Sequence, residues 1–116
     1  MPAPWPDLEG VPAADCRSMT DIRREIDRID RALIKILAER LTYIERAGHI
    51  KTERNTVRDE ARINDVLAKV EQSCTRENFP YTIAEPVWRR LMDGCIAHEF
   101  DVFDEAKAPA RATAAR

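Results

Sequence analysis

Arg40 occupies a position that the surrounding pattern reserves for an apolar residue. Reading from Ile22, apolar residues recur at steps of four and three, at Ile22, Ile26, Ile29, Leu33 and Ile36, then at Tyr43, Ala47 and Ile50, the seam of a long amphipathic helix. The slot between Ile36 and Tyr43 is Arg40. A guanidinium keeps its proton, and withdrawing it from water is costly unless an anion meets it. The anion is either a carboxylate of the protein or part of a ligand.

Lys51 stands eleven residues after Arg40, which on a helix returns it to within about 20° of the same face, about 16 Å further along the axis. Two long cations so placed can reach one small anion from its two ends; the plainer reading of Lys51 is a solvated residue at a helix end. Arg23 lies among Arg24, Arg28, Arg31, Glu25, Asp27 and Asp30, a pattern usual for an exposed, salt-bridged face. It precedes Arg40 by about 25 Å of axis and is about 100° off in rotation, so the two cannot serve one small ligand from one rod. An antiparallel partner helix would bring its own Arg23 across. Glu99 falls four residues after Cys95 and eight after Leu91, inside an apolar stripe, where a carboxylate needs a cation or a proton. A structural ion pair from Glu99 to Arg40 or Lys51 meets that need, and so does a catalytic role. Asp59 and Arg62 read equally as a helix N-cap and a surface partner.

These residues need helices to position them. Ser18, with Asp21 three residues on, resembles a capping box, and no glycine or proline follows until Gly48, so one helix is predicted from about Met19 to about Thr52. Such a rod is roughly 50 Å long, more than a domain of this size is wide. Glu53–Thr56 breaks the seam. Asp59 then precedes Ile63, Val66, Leu67 and Val70 on a second helix predicted to end near Ser73, followed by a loop over Cys74–Tyr81. Thr82 with Glu85 reads as a second capping box, Pro86 suits a first turn, and Val87, Trp88, Leu91, Met92, Cys95, Ile96, Phe100 and Phe103 mark a third helix to about Glu105. Trp88 and the two phenylalanines are expected in the core. Residues 1–17, with four prolines, are expected to be a flexible arm, 18–105 the helical domain, and 106–116 a disordered tail. Two short helices cannot hide both flanks of the first, so the expected fold is all-α, a three-helix protomer in an intertwined homodimer. A monomeric three-helix bundle with an overhanging first helix is the alternative.

Composition narrows the classes. At 116 residues the chain is one small domain with a modest core. Nineteen Lys and Arg against 21 Asp and Glu leave a net charge of -2, so attraction to nucleic acid or an anionic membrane is not expected and any anion site is local. The opening MPAPWPDLEG has neither the basic nor the apolar part of a secretory leader, and no apolar run is long enough to span a bilayer, which places the expected location in the cytoplasm. Cys16, Cys74 and Cys95 are odd in number and lack metal-ligand spacing, and His49 and His98 are isolated; no metal site is expected.

The segment IRREIDRIDRALIKILAER, the lysine of HIK and the later VRDEAR resemble the all-helical (type II) class of chorismate mutases, a family that also contains isochorismate pyruvate lyases. The resemblance covers roughly residues 20–103. It implies a helical dimer with two sites that converts chorismate to prephenate by a Claisen rearrangement, without cofactor or metal, in aromatic amino-acid biosynthesis. It also assigns roles. Arg23 matches the arginine that crosses from the partner subunit, Arg40 the carboxylate-binding arginine within the subunit, and Lys51 the lysine on a carboxylate and the ether oxygen. Asp59 and Arg62 match residues near the ring hydroxyl and the site entrance, Cys95 a small polar position, and Glu99 a Gln or Glu that donates to the ether oxygen. An ionised carboxylate cannot donate a hydrogen bond, so Glu99 must be protonated in that role.

Two positions bear on the substrate. Mutases of this family often carry Glu directly after the arginine of the second helix, where this chain has Ile63; the lyases, which cleave isochorismate to salicylate and pyruvate, tend to be apolar there. Asp59 keeps an acceptor near that hydroxyl, which favours the mutase. Isochorismate pyruvate lyase and aminodeoxychorismate mutase are the alternatives on the same fold. A non-catalytic helical dimerisation module, with Glu99 and Arg40 as a buried pair fixing register, is the alternative from another class.

Overall fold

Local signals at the start of the first helix decide its boundary. In the computed structural model, which describes residues 9–108, α1 runs Met19–Ile50. The Asp21 amide donates to Ser18 Oγ at 3.1 Å, while Asp21 Oδ2 accepts from the Arg17 amide at 2.9 Å. The side chains of Ser18 and Asp21 thus satisfy two amides at this helix start. α2 spans Glu60–Glu77 and α3 spans Tyr81–Ala106, with 3-10 turns at Ala13–Asp15 and Arg54–Thr56. Among the described residues there is no strand, and the fold is all-α as expected.

Two boundaries differ from the sequence reading. α2 continues past Ser73 to Glu77 because buried Cys74 extends its apolar stripe by another turn. Asn78 closes it in the left-handed region at φ 56, a conformation asparagine tolerates. α3 begins at Tyr81 with Pro80 as its cap residue and no side-chain cap bond, so Thr82 and Glu85 do not form a capping box. The Pro80 carbonyl instead accepts from the Ile83 and Ala84 amides. Pro86 lies inside α3, where its missing N–H removes the donor that would bond the Thr82 carbonyl.

The chain divides into two compact units between Thr42 and Tyr43, with α1 running through the boundary. In the first unit, residues 9–17 follow the early turns of α1. The Val11 amide donates to Glu25 Oε1 at 2.9 Å, and that carboxylate also pairs with Arg28 at 3.0 Å. The first eight residues of the expected arm, and the expected tail beyond Ala108, lie outside the described residues. The seam of α1 is open on the single chain: Ile26 is 53% exposed and Leu33 49%.

In the second unit α2 and α3 pack against each other around Ile63, Leu67 and Met92, with Val66, Trp88 and Ile96 against them. Phe103 and Cys74 are also buried. Trp88 and Phe103 therefore belong to the packed interior, whereas Phe100 is half-buried beneath a guanidinium. No helix among the described residues is long and apolar enough to cross a membrane.

Candidate active site

Met92, Ile96, Glu99 and Phe103 follow one another along α3 at steps of four, three and four, so the stripe that packs the interior carries a carboxylate inward with it. Glu99 is 4% exposed, the buried charged side chain among the described residues. Lys51 answers it with a cation, its Nζ donating to Glu99 Oε2 at 2.7 Å. Lys51 follows the last residue of α1, and its amide still bonds the Ala47 carbonyl at 2.9 Å, so the helix end sets its backbone.

Gly48 explains how that helix end comes so close to α3. It is buried, and a Cβ added there would sit 3.1 Å from Val102 Cγ1 and 3.4 Å from the Glu99 carbonyl oxygen. A hydrogen in place of a side chain is what lets the backbone approach. One turn earlier, Glu45 Oε2 lies 2.7 Å from His98 Nε2, a second link across the same pair of helices.

The two partners sit at different depths. Glu99 is enclosed, whereas the Lys51 side chain keeps 29% of its surface in solvent. An ammonium has three donors and Glu99 takes one of them. The ammonium is thus the part of the pair that solvent reaches.

The other residues singled out from sequence divide. Asp59 is the N-cap of α2, its Oδ1 accepting from the Arg62 amide at 3.1 Å, and Arg62 Nη1 donates to Asp65 Oδ2 at 2.6 Å. Two cations hold Asp65 in this way: hydrogen bonds from Lys69 and then Arg62 keep its carboxyl below the usual carboxylate range. Cys95 is half-buried on α3. Arg40 and Arg23 lie on α1 in the first unit, the former half-buried and the latter exposed. Ile63 belongs to the apolar cluster beside Leu67 and Met92. Lys51, one of the two cations the sequence offers Glu99, is paired with it.

Sequence reasoning missed the Glu45–His98 pair and a bidentate pair between Arg54 and Asp104, at 2.9 and 3.2 Å. Both join residues about fifty positions apart, and no periodicity signals such a pairing. Among the described residues, no group of His, Cys, Asp and Glu is placed to hold a metal ion.

Residues 22–100 match the family model described as chorismate mutase type II. The chain is 26% identical over 85 residues to the bifunctional chorismate mutase/prephenate dehydratase of Aquifex aeolicus, covering 70% of this chain and 24% of that protein. It is 22% identical over 96 residues to the isochorismate pyruvate lyase of Pseudomonas aeruginosa, covering 83% of this chain and 95% of the lyase. The chain thus spans about a quarter of the bifunctional enzyme's length and nearly all of the lyase's.

Proposed function

The chain belongs to the chorismate mutase type II family, and we propose that it is itself a chorismate mutase, turning chorismate into prephenate as a homodimer. The observation that carries this reading is the Lys51–Glu99 pair, 2.7 Å long, with a buried carboxyl and a part-exposed ammonium. In a Claisen rearrangement the ether C–O bond breaks as a C–C bond forms, and no proton or group leaves the substrate. The enzyme needs no nucleophile for it. Its contributions are holding the reactive conformer and stabilising charge on the departing oxygen.

Lys51 is the donor to that ether oxygen and to one substrate carboxylate. Glu99, in its acid form, is the second donor. Arg40 clamps a carboxylate within the subunit, and Arg23 reaches the other site of the dimer. Arg62 and Cys95 line the entrance and the wall, while Asp59 offers its remaining oxygen to the ring hydroxyl. Support for the dimer comes from α1, where Ile26, Ile29 and Leu33 leave an apolar stripe in solvent that a second long helix would cover.

One observation favours a second reading, isochorismate pyruvate lyase. Ile63 is packed into the interior beside Leu67 and Met92, so the position that would present an acceptor to the ring hydroxyl is apolar, and a lyase matches nearly end to end. Following the loss of chorismate and the appearance of prephenate tests the first reading. Release of salicylate and pyruvate from isochorismate tests the second.

A further inference from the structure

Lys51 stands one residue past the end of α1, where the connection to α2 begins, and a helix end is a weaker support than a helix interior for a side chain that must meet one oxygen. The chain is gripped on both sides of Lys51, at the last turn of α1 and in the connection. Before it, Lys107 Nζ donates to the His49 carbonyl oxygen at 3.2 Å, with the ammonium 5.0 Å from the centroid of the Phe103 ring. After it, Arg54 gives Nε to Asp104 Oδ1 at 2.9 Å and Nη2 to Asp104 Oδ2 at 3.2 Å. The same guanidinium lies 4.5 Å above the centroid of the Phe100 ring. Buried Val57 anchors the far end. Phe100, Phe103 and Asp104 lie on α3 and Lys107 is the residue that caps its end, so all four fall within about two turns after Glu99. The turns that present Glu99 therefore also hold the segment that presents Lys51.

We propose that Asp104 and Lys107 are positioning residues for Lys51: with Arg54 and the His49 carbonyl they form a latch that keeps the segment 51–57 closed on α3. The proposal rests on Lys51 being the group that meets the substrate's breaking bond. The latch sits in solvent, with Arg54 61% and Asp104 50% exposed at the side chain. Exposed pairs contribute little to global stability, so the grip tunes a local opening rather than the fold. It is closed at neutral pH. The hydrogen bond from Arg54 holds the Asp104 carboxyl below its ordinary 3.8, so the pair is lost only as pH falls through that lowered value.

The test uses the full-length Asp104→Asn variant and the exchanged pair Arg54→Asp with Asp104→Arg. Amide hydrogen exchange over residues 52–57 is measured without substrate, and kcat and KM on whichever substrate is turned over. In Asp104→Asn the exchange is expected to speed up at least about threefold in this segment, with α2 and the melting temperature unchanged. The kcat is expected to fall about three- to tenfold while KM moves less than about twofold, because the lost interaction belongs to the transition state. The exchanged pair restores both. Unchanged exchange in Asp104→Asn, or an exchanged pair no better than the single variant, overturns the latch. Exchange needs no turnover, so if neither chorismate nor isochorismate reacts, the functional reading fails while the exchange data still decide the latch.

Discussion

Lys51 and Glu99 stand 48 positions apart in the chain and 2.7 Å apart in the fold, the ammonium donating to Oε2. The end of α1 and the middle of α3 make this pair, and Gly48 supplies the clearance. A cation and a carboxyl are thus held together where the end of α1 meets α3.

Replacing Glu99 separates its two possible states. Only the acid form of a carboxyl donates, whereas a carboxamide always can. The Glu99→Gln variant therefore keeps a donor, and its rate near neutrality is expected to stay within about tenfold of wild type, the size of one modest hydrogen-bond change. Glu99→Ala, which has no donor, is expected to lose more than the Gln variant. Initial rates of the two variants at one pH check this, and a Gln variant as inactive as the Ala variant returns Glu99 to a structural partner of Lys51.

Arg40 lies on the seam of α1 to meet substrate in this account, so Arg40→Ala should leave the helical circular dichroism intact. Its turnover should drop at least about 10²-fold, by analogy with removing one preorganised donor. Loss of the fold in this variant instead favours a buried ion pair.

How far this site was legible in the sequence depended on distance along the chain. The start of α1 was local information, in Ser18 and Asp21. The inward turn of Glu99 was legible because its stripe has a period. That Lys51 pairs with Glu99 needed a contact across 48 positions, which the seam offers beside Arg40 without fixing it. The sequence reading ends α2 near Ser73, whereas buried Cys74 continues its apolar stripe to Glu77. The Arg54–Asp104 pair joins two exposed residues, and charge on a surface carries no period to read.

The interior between α2 and α3 sets stability. Leu67 is 5% exposed within the cluster of Ile63 and Met92, so Leu67→Ala is expected to cost about 2–5 kcal/mol through lost contacts and a cavity. Urea denaturation at fixed protein concentration measures it. A loss under about 1 kcal/mol would mean that the site collapses around the smaller side chain.

Arg23 tests the dimer. Sedimentation at micromolar concentration should find two chains, and Arg23→Ala and Arg40→Ala should each be inactive alone. Mixed and allowed to exchange, they should regain about a quarter of wild-type activity, since half the dimers then hold one intact site. A stable, active monomer or no recovery on mixing contradicts the role given to Arg23.

The most direct measurement is the identity of the product. Purified protein is incubated separately with chorismate and with isochorismate, and the mixtures are resolved by chromatography. Prephenate is expected from chorismate, and Lys51→Ala is expected to abolish it. Salicylate and pyruvate from isochorismate with no prephenate from chorismate would contradict the mutase, and no reaction with either would contradict an enzyme built on the Lys51–Glu99 pair.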